Sequence, residues 1–208
     1  MDYNTYYNKI LTDENMMETI QHGRSDYPFH FYYDNLSLFD FNCIEWHWHN
    51  EFEFVFVEKG NAIFWAGEKQ FSITEGQGFW VNSGILHRFY SEKGAVIPNF
   101  LLLPTFIAAS NSRIYQKYIE PIKKSALDCL IFFTGNPLAK RSFTCYEKNN
   151  ITPNRRMRNG TTHLLSCTGT LASDLFPCKR RVIKRKTNKY CFITRSTATY
   201  DAIHSPKF

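Results

Sequence analysis

Residues 45–60, EWHWHNEFEFVFVEKG, hold the densest group of side chains that could do chemistry. His47-x-His49-x-x-x-Glu53 brings two imidazoles and a carboxylate together along the chain. Such donors can hold a transition-metal ion or supply the polar wall of a pocket. His47, His49, Glu51 and Glu53 share one parity, and Trp46, Trp48, Phe52, Phe54 and Phe56 share the other. Successive side chains of a strand face opposite sides, so this alternation predicts a polar face backed by an aromatic one. Asn50 stands where a turn could join two strands, and a turn resets parity. The polar face therefore need not be continuous.

The flanking text supplies the elements that would position these residues. Pro28–Tyr33 is short and aromatic, and Asp34-Asn35 punctuates it. Strands are expected at 39–48, 52–57, 62–66, 70–74, 79–82, 87–91 and 96–103, with a hairpin across Ser83-Gly84 and a stop at Pro104. Many short strands with evenly spaced Gly-containing turns argue for an antiparallel sandwich or barrel. Residues 111–124 change period: Ile114, Tyr118 and Ile122 recur four apart, Asn111 or Ser112 can cap the start, and Pro121 kinks the helix or marks its last turn. Leu127–Phe133 reads as a strand or buried connector. Before the barrel, residues 1–26 are a polar arm, with a short helical possibility at Ile10–Ile20. His22 and His30 are isolated and read as structural or exposed.

At 208 residues the chain has the length for one domain of ordinary size and a small appendage. Its net charge of +6 hides a break. Residues 1–133 hold 10 Lys+Arg against 16 Asp+Glu, a net of −6, whereas residues 134–208 hold 15 against 3, a net of +12. All four Trp lie in the first part. The N-terminus has no apolar core followed by a cleavage site, and no apolar run approaches the ~20 residues of a membrane helix. A cytoplasmic location is the default, with no membrane partner. The cysteines are irregularly spaced without C-x-x-C, which indicates neither a disulfide framework nor a zinc site.

The motifs HWHNEFE (47–53), Gly60 after a strand, EGQG (75–78) and NSGILH (82–87) together resemble a cupin. More narrowly, they resemble the N-terminal sensor domain of AraC-type transcription regulators, whose post-barrel helix is similar to IYQKYIEPI (114–122). The resemblance covers roughly residues 27–133. It implies a mainly β chain with a small antiparallel cupin-like barrel at 27–104, and a helix and connector at 105–133 used in dimerisation. It implies a small-molecule effector, such as a sugar, and a homodimer. Specific DNA binding is expected of the intact family but not of this chain, because nothing in 134–208 resembles its helix-turn-helix domain. The general cupin metal motif falls on His47, His49, Glu53 and His87. Three imidazoles and a carboxylate suit iron, manganese, nickel or zinc, and would make this a metal-dependent cupin enzyme. The favoured expectation is a pocket without catalytic residues, cofactor or metal. His47, His49, Glu53 and His87 would give that pocket its polarity; Phe54, Phe56, Trp65 and Trp80 are candidates for apolar walls, with core packing the expected role of most of them.

Residues 134–208 are expected to be a disordered or non-native basic tail. Lys179-Arg180-Arg181 and Lys184-Arg185-Lys186 could neutralise phosphates, but a charge run is more often a solvated segment. The favoured reading is translation out of frame. Removing one T from a run that can encode Phe132-Phe133 lets the following text read PEIPWQKEVLHAMKK, whose Trp, Val and Met recur four apart. The same shift within Cys167 allows VQVLWQAIFSHAK, and at 200–208 it allows TMQFIHQN. These strings resemble the linker helices of AraC-type regulators, so the expectation is a regulator truncated by a single-base insertion.

Overall fold

A computed structural model describes residues 9–132 and 190–194. The architecture is mainly antiparallel β and cupin-like, as expected. The strands are β1 (Phe29–Asn35), β2 (Cys43–His47), β3 (Phe52–Phe56), β4 (Lys59–Ala66), β5 (Lys69–Thr74), β6 (Gly78–Val81), β7 (His87–Tyr90), β8 (Ala95–Leu102), β9 (Leu127–Phe132) and β10 (Tyr190–Thr194). They run in the order β10-β9-β6-β3-β8-β4-β7-β2, with β1 paired to β8 and β5 to β4. One face is built from β1, β8, β3, β6 and β9, and the opposing one from β5, β4, β7 and β2. The two join where Lys59 and Gly60 pair with Val96 and Ala95.

Alternation decides what each strand buries. Val55, Phe79, Val81, Ile97 and Ile131 from the first face meet Ile44, Phe64, Ala66, Ile73 and Phe89 from the second in one buried cluster, the inside of the barrel. The other parity of the first face gives Phe29, Phe52, Phe54, Phe56, Trp80, Leu102, Leu130 and Phe132. These pack outside the barrel, against Tyr115 and Ile119 of the helical segment. That segment comprises α1 (Pro104–Ile107), a π-helical turn at Tyr115–Ile119, and α2 (Glu120–Lys123). Ser112 caps it through its Oγ, which accepts from the Tyr115 N–H at 3.1 Å. Pro121 sits in the last turn, where it has no N–H for the carbonyl four residues back, and the turn before it is widened to π.

Three expectations need correction. Ile10–Ile20 is not helical: Asp13 Oδ1 takes the N–H groups of Asn15 and Met17, and Met16 and Glu18 bond the backbone of Trp48 instead. β2 starts at Cys43, because two 3-10 turns, Leu36–Leu38 and Asp40–Asn42, precede it. β6 and β7 form no hairpin: β6 pairs with β3 and β9, β7 with β2 and β4, and residues 82–86 cross between the two faces. Of residues 134–208, the described part is Tyr190–Thr194, a strand antiparallel to β9. The frameshift reading and the two basic clusters lie outside the described residues.

Candidate functional site

The polar parity carries across the turn at Asn50, and the register shift falls earlier, between Ile44 and His47 of β2. β2 ends at His47, residues 48–51 cross over, and β3 resumes at Phe52, so His47, His49 and Glu53 converge from a strand end, a turn and a second strand. His87 opens β7 directly opposite His47. All four are buried. One ligand atom from each of His47, His49 and His87 lies within 4.8 Å of the others. Glu53 Oε2 is 3.0 Å from His87 Nε2 and 3.5 Å from His49 Nε2, and Glu51 Oε2 is 3.6 Å from His49 Nδ1.

Backbone carbonyls orient two of the rings. His47 Nδ1 donates to the Glu45 carbonyl at 2.8 Å, and His87 Nδ1 to the Ile85 carbonyl at 2.7 Å. A carbonyl only accepts, so in each neutral ring the proton sits on Nδ1 and the Nε2 lone pair is left for the cluster. Both nitrogens of His49, His87 Nε2 and Glu53 Oε2 are buried without an aligned hydrogen-bond partner. Burial, with His87 and His49 adding to it, holds the His47 pKa well below the usual imidazole value. For Glu53, burial pushes the pKa up, but hydrogen bonding and charge from His49 and His87 outweigh it and hold the carboxyl well below the usual range.

The four aromatic candidates do not line this site. Phe54, Phe56 and Trp80 lie in the cluster under the helical segment, on the opposite side of the sheet from Glu53 and Val81. Trp65 is half-buried on β4, with the Arg88 guanidinium 5.0 Å from its ring centroid. Arg88 also faces Trp46 at 6.0 Å and Glu45 at 3.6 Å.

Other residues stand in their place. On β1, Phe29 and Phe31 pack against the outer cluster, so His30, Tyr32 and Asp34 take the inward parity, beside Leu101, Asn99 and Ile97 of β8. Asn99 Nδ2 donates to Asp34 Oδ2 at 2.7 Å. Burial pushes the Asp34 carboxyl up to about 7; the Asn99 bond opposes this, and Glu53 and Glu18 add to it. The arm contributes His22, which is buried, not isolated. It contacts Glu18 Oε2 at 3.0 Å, Tyr32 Oη at 2.8 Å and the His49 ring edge-on at 5.6 Å. Burial lowers its pKa, but Glu18 outweighs that and the net shift is upward. The alternation of FHFYYDN could have found the β1 trio. No local signal could have found His22, which arrives by a non-local pairing of Met17 with Trp48.

Residues 82–87 tie the site to the helical segment. Gly84 N–H donates to the His49 carbonyl at 2.8 Å, and Ser83 Oγ to the Asn50 carbonyl at 2.7 Å. Asn82 Nδ2 donates to the carbonyls of Ile122 and Leu127, each at 2.9 Å.

Residues 39–110 match the AraC-like ligand binding domain family. The chain is 29% identical over 135 residues to an uncharacterized HTH-type transcriptional regulator, YdeC, of Bacillus subtilis (strain 168). That match takes in 61% of this chain and 44% of the relative, so the chain spans less than half of the relative's length. Among solved structures, ToxT from Vibrio cholerae aligns at 11% identity and TM-score 0.47, over 70% of this chain and 55% of that one. A cupin-2 domain protein from Shewanella frigidimarina NCIMB 400 aligns at 15% identity and TM-score 0.31, over 38% and 72%. An oxalate decarboxylase from Bacillus subtilis aligns at 27% identity and TM-score 0.27, over 29% and 18%.

Proposed function

We propose, on the premise that residues 39–110 are an AraC-like ligand binding domain, that this chain is the effector-sensing part of a regulator of transcription. The observation that carries the reading is the buried cluster of His47, His49, Glu53 and His87, in which atoms of His49, Glu53 and His87 lack an aligned hydrogen-bond partner. Buried polar groups are normally partnered, so a set left open is where a ligand completes the bonding. The effector is a small molecule held between this cluster and the inward residues of β1. A sugar is one class such a pocket could take. The protein acts in the cytoplasm as a homodimer, associating through the helical segment, on which Ile114 is 59% exposed. DNA engagement belongs to the helix-turn-helix part of such regulators. Effector binding biases the dimer by acting on residues 82–87, which are bonded to His49 and Asn50 at one end and to Ile122 and Leu127 at the other. The test is thermal unfolding of the purified chain across a small-molecule library. Stabilisation by specific compounds, lost in Glu53→Gln, supports the reading; no stabilisation by any compound removes it.

One observation favours a second reading. Two ring Nε2 atoms are turned inward by carbonyl-bound Nδ1 groups, the third His is close, and Glu53 Oε2 stands 3.0 Å from His87 Nε2. This donor set fits a divalent iron, manganese, nickel or zinc ion, with carbonyls in the supporting role usual at histidine metal sites. A bound ion would supply Lewis acidity, and the chain would be a metal-dependent cupin enzyme. Elemental analysis decides between the readings: one tightly held metal per chain, lost in His49→Ala, favours the enzyme.

A further inference from the structure

The inside of the barrel presents several hydrogen-bond acceptors with few partners. Asp34 presents two carboxylate oxygens and receives one donor, Asn99 Nδ2. That amide also reaches the Ile97 carbonyl at 3.2 Å, so it has little more to give. Glu53 is 4% exposed, and its Oε2 is met by the His87 and His49 rings, at 3.0 and 3.5 Å. His47 and His87 spend their Nδ1 protons on carbonyls, which leaves acceptor nitrogens facing inward. His22 is occupied on both nitrogens, by Tyr32 and by Glu18.

Charge runs the same way. Among the described residues no Lys or Arg is buried. The nearest candidate, Arg88, lies on the outer side of β7 between Trp46 and Trp65. The charges acting on Asp34 are both carboxylates, Glu53 and Glu18. A carboxylate enclosed by protein without a counter-charge is unfavourable until one arrives. Tyr32 and Asp34 are nevertheless only half-buried. They take the inward parity of β1 and still carry some accessible surface.

We infer that the ligand of this pocket is an organic cation, an amine, amidine or guanidine, with Asp34 as its counter-ion and the Asn99 amide fixing the carboxylate. This rests on the effector-sensing reading. The N–H groups of such a cation would donate to Asp34, and its charge is one that no buried Lys or Arg supplies. A metal held by the histidine cluster would take up acceptors there and leave Asp34 uncompensated, so the inference is separate from the metal reading.

The experiment is calorimetric titration of the full chain with butylguanidinium, butylamine and benzamidine, each against a neutral isostere: butylurea, butanol and benzamide. At least one cation is expected to bind about tenfold or more tightly than its isostere, the effect of a single charge-assisted contact. Asp34→Asn, which keeps the shape and removes the charge, is expected to abolish that preference; Asp34→Ser serves if the amide disturbs folding. Equal binding within every pair overturns the inference, as does a preference that survives in both variants. A thermal-shift library sorted by charge separates this failure from failure of the wider reading. Stabilisation by neutral or anionic compounds alone overturns the cation and leaves an effector pocket, whereas stabilisation by none overturns both.

Discussion

Asn82→Ala is expected to destabilise the domain by about 3 kcal/mol, and the reason lies in what this side chain spans. Its Nδ2 donates to Ile122 and Leu127, and its Oδ1 accepts from the Ser83 N–H at 2.9 Å. The residue is 2% exposed. Each buried bond contributes about 1 kcal/mol net, so losing three gives about 3 kcal/mol, with a further penalty where a carbonyl stays dry. For a domain of this size the midpoint of thermal unfolding should fall by about 10 °C. Asn82→Asp sharpens the test. It is nearly isosteric and keeps the acceptor for Ser83, but turns two donations into contacts between a carboxylate and two carbonyl oxygens. It should therefore cost at least as much as the alanine. Urea unfolding followed by tryptophan fluorescence measures both. If Asn82→Asp costs under about 1 kcal/mol, the link from the barrel to the helical segment is not the one described.

Three more expectations follow from the same geometry. Trp80→Ala should cost about 3–5 kcal/mol, since the ring fills the outer cluster at 1% exposure, while Trp80→Phe should leave ligand affinity unchanged because the ring lies outside the pocket; denaturation and titration report the two separately. Asp34 keeps its proton to about pH 7 when folded against 3.8 ordinarily, so between those values the folded chain holds one proton more than the unfolded one. Stability relative to Asp34→Asn should then fall by about 4 kcal/mol as pH rises from 4 to 7 and level off above, as denaturation at several pH values would show. Gly23 has φ of +77°, and a Cβ there would lie 2.6 Å from the Phe29 N and O and 2.7 Å from the Tyr27 O. Gly23→Ala should cost roughly 2–3 kcal/mol and loosen the arm, which limited proteolysis around residues 9–22 would register.

The architecture was legible because its signals are local. Alternation and glycine-bearing turns mark most strands, and His-x-His-x-x-x-Glu marks the cluster that the structure brings together with His87. What sequence could not decide was which side of a strand is the inside. β3 is buried on both faces, by the barrel interior through Val55 and by the helical segment through Phe54 and Phe56. Alternation separates those two faces but does not label them, so the sequence left Phe54, Phe56 and Trp80 between pocket wall and core packing, and the structure has them in the outer packing. The arm failed for another reason. The Ile10–Ile20 spacing permits a helix, but its backbone is taken by Trp48, more than thirty residues on, and that contact brings His22 onto His49. A lone histidine carries no mark of such a partner. Asp34 was read as turn punctuation, and its inward placement follows only from the pairing of β1 with β8.

The most direct test of the central claim is native mass spectrometry of the chain after incubation with a small-molecule extract and removal of unbound material. A sensor should carry one small molecule per barrel, release it chemically unchanged on denaturation, and lose it in Glu53→Gln. A chain that retains only a stoichiometric transition metal, and returns its captured molecules chemically altered, would contradict the account and establish the enzyme in its place.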